Sequence, residues 1–258
     1  MLPALFLSHG APTLPLMDSA ATTFLRTLGA SLDRPKAIVV ASAHWETPRP
    51  EVSAVAVNDT IHDFYGFPKA LYELTYPAPG DPALAQRVLG LLADAGLPGT
   101  VDTQRGLDHG AWVPLLLAYP GHDIPVLQVS IQSQLGPEHH EKLGAALAPL
   151  RAEGLLLVGS GSFTHDLRRF RGQAVDAPVQ PDVAEFATWM DTAIREHRHE
   201  DLLAYRKRAP FAVQNHPTDE HLLPLYVALG AGGPNARVEH LHQSAQFSML
   251  RMDAYAFH

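Results

Sequence analysis

The stretch Gly154–His165, GLLLVGSGSFTH, decides how the chain is read. Leu155–Val158 form a short apolar run. Gly159, Ser160, Gly161 and Ser162 break it, and Thr164-His165 follows at once. That pattern predicts a buried strand that stops and presents a histidine in the next turn. The same device occurs in Ala4-Leu5-Phe6-Leu7 before Ser8-His9, and in Ala37-Ile38-Val39-Val40 before Ala41-Ser42-Ala43-His44. Apolar runs without polar alternation belong to a parallel sheet covered on both faces. Open α/β sheets bind ligands beyond the carboxyl ends of their strands. The histidines at these ends therefore point to one site.

Outward from these runs, strands are expected at Leu5–Leu7, Ala37–Ala41, Val52–Val57, Pro125–Ile131, Leu155–Val158 and Ser248–Ala256. Helical spacing predicts helices over Ser19–Leu32, Asp81–Ala95 (with Pro82 in its first turn), Ala111–Tyr119, Pro137–Arg151 and Pro181–His197. Further helix is expected at Glu200–Arg206 and at Leu222–Leu229, the latter ended by Gly230. The alternation argues one α/β domain over residues 1–258. Its central sheet is mostly parallel or mixed and flanked by helices, with a metal site at the C-terminal ends of the strands. Ile61–Gly80, IHDFYGFPKALYELTYPAPG, stands apart as aromatic and turn-rich.

Composition narrows the chemistry. The 258 residues contain no cysteine, which excludes disulfides, thiolate metal sites and a cysteine nucleophile. A tightly held metal would use imidazole and carboxylate, and the chain has 15 histidines. The formal charge is −8, with no basic run of the kind that binds nucleic acid. The N-terminus lacks a charged n-region and a long apolar h-region, and no apolar stretch reaches the roughly 18 residues a membrane span needs. A cytoplasmic protein is expected, and a homo-oligomer is compatible with this composition. Gly159–Ser162 lacks the Gly-x-Ser-x-Gly frame of a nucleophile elbow, because position 163 is Phe.

The histidines sort by context. His9 and His44 follow buried runs. His109 lies in Gly-Leu-Asp-His-Gly, where Asp108 either orients it or caps the next helix. His165 suits a ligand or a general base. Asn215–His221, NHPTDEH, puts two histidines and two carboxylates before a helix. His139, His140, His197 and His199 lie on charged helical faces and are expected at the surface, as are His122, His240, His242 and His258.

The ordered set SHG at His9, SAHW at His44, LDHG at His109, GSGSFTH at His165 and NHPTDEH at His221, together with the aromatic segment Ile61–Gly80, resembles the class III extradiol ring-cleavage dioxygenases. Within them it is similar to the DOPA 4,5-dioxygenase-like branch. The resemblance covers Leu5 to about Tyr255. It implies a non-haem Fe(II) enzyme that opens a catechol with O₂. His9 and His44 match the first two metal ligands. The third-ligand region holds both Glu220 and His221, and the branch implies His221. Three neutral imidazoles would also hold Zn(II). His165 matches the base, close enough to serve as a fourth ligand, and His109 the acid. Tyr65, Phe67 and Tyr72, with His216, are the expected substrate-binding residues, and Phe64 joins them as a candidate for the wall. Two other readings use the same residues: a zinc hydrolase with Glu220 as base, and a non-catalytic binding protein.

Overall fold

The computed structural model describes residues 1–258 and makes the three apolar runs neighbours. The strands are β1 (Ala4–Ser8), β2 (Ile38–Glu46), β3 (Glu51–Ser53), β4 (Thr100–Asp102), β5 (Val126–Ile131), β6 (Leu156–Gly161), β7 (Val238–His242), the small pair β8 (Ala245–Gln246) and β9 (Leu250–Arg251), and β10 (Ala254–Phe257). Eight of them form one sheet in the order β4-β3-β5-β2-β6-β1-β10-β7. The central four, β5, β2, β6 and β1, are parallel. Antiparallel pairings of β3 with β5, of β1 with β10 and of β10 with β7 make the sheet mixed. The strands that lead to His9, His44 and His165 lie side by side, about 4.8 Å apart.

Successive strand residues enter different cores. Phe6, Val39, Val129 and Leu157 pack on helices Pro82–Asp94, Gly136–Leu147, Pro181–Arg195 and Leu223–Gly232. Leu7, Ile38, Val40 and Val158 pack on helices Ala20–Ser31 and His109–Ala118. This two-sided burial is why the strands read as unbroken apolar runs. Ser19, Asp81 and Asp108 accept hydrogen bonds from Thr22, Leu84 and Ala111 N–H and so start three of these helices. No helix is long and apolar enough to cross a membrane.

Gly159 and Gly161 do not break β6 as expected; they lie within it. A Cβ at Gly159 would stand 2.0 Å from the Pro224 carbonyl oxygen, and one at Gly161 2.1 Å from that of His221. Glycine there lets the segment His221–Pro224 close directly onto the strand. On the opposite face Ser160 donates to the Gly110 carbonyl and holds the start of the His109–Ala118 helix. Gly230 also differs from expectation: it lies inside its helix, where a Cβ would meet the Glu141 carbonyl at 1.9 Å. Its small size permits two helices to cross closely rather than ending one.

Other boundaries shift for local reasons. β2 runs on to Glu46, so His44 sits in the strand, beyond an irregular register after Ala41. Val52–Val57 alternates but pairs only as far as Ser53. Pro149 divides the expected helix Pro137–Arg151 into Gly136–Leu147 and Pro149–Ala152. His140 is fully buried rather than at the surface: its Nδ1 donates to the Gly136 carbonyl, and its Nε2 accepts from Gln132 N–H. The polar strand β7 and the short β4 carried no apolar run to reveal them.

Gly161→Ala tests the closure. The added methyl collides with backbone, so we expect a loss of about 1–3 kcal/mol. That is a fall of roughly 2–12 °C in thermal unfolding midpoint, whereas Ser162→Ala, which adds no atoms, should cost less.

Candidate metal centre

His9 follows β1 directly, and its N–H donates to the Gly161 carbonyl at 2.9 Å. Its Nδ1 lies 3.1 Å from Ser160 Oγ, whose own proton goes to Gly110. Ser160 therefore accepts, His9 carries its proton on Nδ1, and its lone pair is on Nε2. The same logic applies twice more. His221 Nδ1 donates to Glu220 Oε1 at 2.9 Å, and His109 Nδ1 donates to Asp63 Oδ1 at 2.9 Å. The Nε2 atom of His221 is buried and has no hydrogen-bond partner. His44 Nε2 lies 3.1 Å from His9 Nε2. Ligand nitrogens of His9, His44 and His221 all lie within 4.8 Å of one another.

Lone pairs turned toward one point, with the opposite ring nitrogens held by acceptors, are the arrangement imidazole metal ligands adopt. Two nitrogens bound to one ion at about 2.0–2.1 Å stand roughly 3 Å apart, close to the His9–His44 separation. Donor atoms also converge in His44-Asp63-His109 and in His165-Glu220-His221. Glu220, however, lies behind His221, where Thr218 Oγ1 also donates to it, and it does not line the cleft. That position leaves a hydrolase base role without access to a substrate.

Burial is the largest influence on the cluster and disfavours imidazolium. It pushes His9 and His221 well below the ordinary histidine range, with neighbouring imidazoles adding to the effect. It lowers His44 and His165 to about 4. At neutral pH these rings are in the form that binds a metal or accepts a proton. For Asp63 burial acts upward, but hydrogen bonds from His109 and the charges of His109 and His44 outweigh it and hold the carboxyl at about 2.

Asp108 caps the helix and does not orient His109. Its buried carboxylate accepts from Ser42 Oγ, Gln128 Nε2 and Arg105 Nη2 as well as from Ala111 N–H. Asp63, from the aromatic segment, orients His109 through both its ring and its backbone N–H. The aspartate in Ile61-His62-Asp63-Phe64 was its only sequence signal. His165 stacks on His221 with ring centroids 3.4 Å apart.

These groups floor a cleft of about 520 Å³. Phe64 and Phe67 form one wall; Leu167, Phe170, Phe247, Met249 and Leu250 form the other, which the sequence did not reveal. Phe64 lies 5.8 Å from His109, ring to ring. Three expected substrate-binding residues stand elsewhere. Tyr65 is 93% exposed and outside the cleft. Tyr72 supports the wall from behind, 5.4 Å from Phe64, and its hydroxyl accepts from Phe67 N–H. His216 is fully buried, and its Nε2 donates to the Phe163 carbonyl. It braces the loop before His165, whose N–H donates to Asn215.

Residues 3–258 match the family described as the catalytic LigB subunit of aromatic ring-opening dioxygenase. The chain is 46% identical over 256 residues to a Beta vulgaris protein named 4,5-DOPA dioxygenase extradiol, covering 98% of this chain and 95% of that one. It is 44% identical over 237 residues to an Escherichia coli (strain K12) protein of the same name, covering 89% and 85%. The crystal structure of an uncharacterized protein from Escherichia coli K12 matches over 100% of both chains, with a TM-score of 0.84 and 34% identity.

The buried neutral histidines set a pH dependence for the metal-free protein. Unfolded imidazoles protonate near 6.5, whereas His44 and His165 resist until about 4. A folded pKa below the unfolded one gives stability that is present above 6.5 and lost as pH falls toward 4. We expect roughly 1–3 kcal/mol to be lost per group across that window. Urea unfolding of metal-free protein should show it, with a shallower slope for His165→Asn.

Proposed function

The chain belongs to the LigB-type family of aromatic ring-opening dioxygenases, and from that premise we propose an extradiol enzyme that opens a catechol ring and leaves both atoms of O₂ in the product. The observation that carries the site assignment is the buried Nε2 of His221, which has no hydrogen-bond partner, with ligand nitrogens of His9 and His44 within 4.8 Å of it. In this reading His9, His44 and His221 hold a divalent ion. Fe(II) is the active metal, and Zn(II) suits the same donors without supporting turnover. When bound, Fe(II) would acidify the catechol hydroxyls and bring substrate and O₂ to one centre.

The remaining work falls to this chain's own groups. His165 is neutral, lines the cleft and makes no side-chain hydrogen bond, so its ring nitrogen is free to take a catechol proton. His109 keeps Nδ1–H on Asp63 and turns Nε2 to the cleft. A proton received there is stabilised by the Asp63 carboxylate, and His109 can return it as an acid. Phe64 and Phe67 shield the ring from water. Glu220 brings negative charge to His221 through its Nδ1–H, so a site of three neutral imidazoles does not depend on a carboxylate ligand for charge balance.

Anaerobic Fe(II) reconstitution followed by oxygen uptake with a panel of substituted catechols tests this reading. His221→Ala should abolish stoichiometric metal binding. His165→Asn should keep the metal and lower kcat by about 10²-fold or more. Stoichiometric metal loss in His165→Asn would make His165 a ligand and move the base role to His109.

A further inference from the structure

His9, His109 and His221 each have an outer acceptor for the Nδ1 proton; His44 has no such hydrogen bond. Its backbone is held, because its N–H donates to Ser42 Oγ and its carbonyl accepts from Arg105. The proton of its neutral ring has two places to go. On Nε2 it would be given to His9 Nε2, 3.1 Å away. On Nδ1 it would face Asp63 Oδ2, 3.7 Å away. Only the second leaves the Nε2 lone pair for a metal.

Asp63 stands where it serves two rings at once. Its Oδ1 takes both protons that His109 offers, from the backbone N–H at 3.0 Å and from Nδ1 at 2.9 Å. This double contact fixes the carboxylate and leaves Oδ2 on the His44 side. The His44 and His109 rings are 3.9 Å apart, centroid to centroid. The Asp63 and His44 side chains are 23% and 21% exposed, so most of the solvent that would weaken their attraction is excluded. A carboxylate behind a metal-bound imidazole fixes the ring's tautomer and raises its basicity.

We propose that Asp63 is the positioning residue for His44 as well as for His109, holding the ligand's proton on Nδ1 through Oδ2 while Oδ1 orients the acid. The proposal rests on the assignment of His44 as a metal ligand in the reading above. Phe64, the next residue, lines the cleft. One short stretch of chain thus sets a metal ligand, the acid and a wall of the cleft together.

Asparagine at position 63 separates this role from the filling of space. Its amide has one acceptor end and one donor end. The His109 backbone N–H is a donor whatever the tautomer of its ring, so the amide oxygen belongs on the His109 side and the NH₂ turns to His44. An NH₂ there favours an unprotonated Nδ1 and therefore Nε2–H, which does not bind metal. Alanine removes the acceptor but imposes no donor, and water is able to take the His44 proton.

The test titrates Zn(II) into metal-free protein by calorimetry, which needs no turnover. Asp63→Asn should weaken Zn(II) binding by about 10–100-fold, and Asp63→Ala by less. Histidine ¹⁵N NMR of Asp63→Asn should still show Nδ1–H at His109, a signature that a collapsed site would lose. If a variant does not fold, the Zn(II)-loaded wild type decides: the His44 Nδ1 proton should exchange slowly with water, and fast exchange overturns the proposal. Zn(II) binding by Asp63→Asn within about twofold of wild type also overturns it, as does an equal or larger loss in Asp63→Ala. Failure of the wild type to bind Zn(II) overturns the metal-site reading along with the proposal.

Discussion

A neutral imidazole has one lone pair to give, and at this centre the direction of that pair is set from behind. Ser160, Asp63 and Glu220 accept the Nδ1 protons of His9, His109 and His221, and the unprotonated Nε2 atoms are left on the inner side. Each acceptor comes from a different part of the chain: β6, the aromatic segment and the loop before the last long helix. The site is therefore only as well made as the packing that brings those three parts together. Deep burial completes the arrangement by keeping His9, His44, His165 and His221 uncharged at neutral pH.

The sheet supplies the packing through simple alternation. In β6, Gly159 and Gly161 face the His221–Pro224 segment, while Ser160 faces the Gly110 turn. A larger residue at either glycine would push His221 off the strand. Apolar replacement of Ser160 would free His9 Nδ1 and loosen the start of the helix that carries His109. Gly110 is under the same constraint, because a Cβ there would stand 2.4 Å from Ser42 Oγ and 3.0 Å from His44 Cδ2. Small residues at strand ends thus bring two loops and a helix start within reach of one ion-sized space.

Much of this was legible in the sequence. The buried runs marked the parallel strands, and the histidines after them marked the floor of the site, because both depend on local chain order. The NHPTDEH loop left Glu220 and His221 as rivals, since two adjacent residues look alike as donors; only the folded arrangement separates an inner imidazole from an outer carboxylate. Asp63 was hidden among aromatics because its partner is 46 residues away. The cleft wall was legible only in part for a related reason. Aromatic composition names a segment but not which rings turn inward, so Tyr65 was expected inside and stands in solvent, whereas Phe64 and Phe67 face the cleft. The opposite wall, Leu167–Phe170 with Phe247–Leu250, joins pieces far apart in sequence and leaves no local pattern.

The central claim is that the chain turns unprotonated Nε2 atoms of His9, His109 and His221 to the inner side before any metal arrives. Histidine ¹⁵N NMR of metal-free protein near neutral pH measures this directly, because protonated and unprotonated ring nitrogens have distinct shifts. The account predicts the Nδ1–H tautomer for His9, His109 and His221, each identified by loss of its signals in a His→Gln variant. Observation of Nε2–H as the dominant tautomer at His9 and His221 would contradict it.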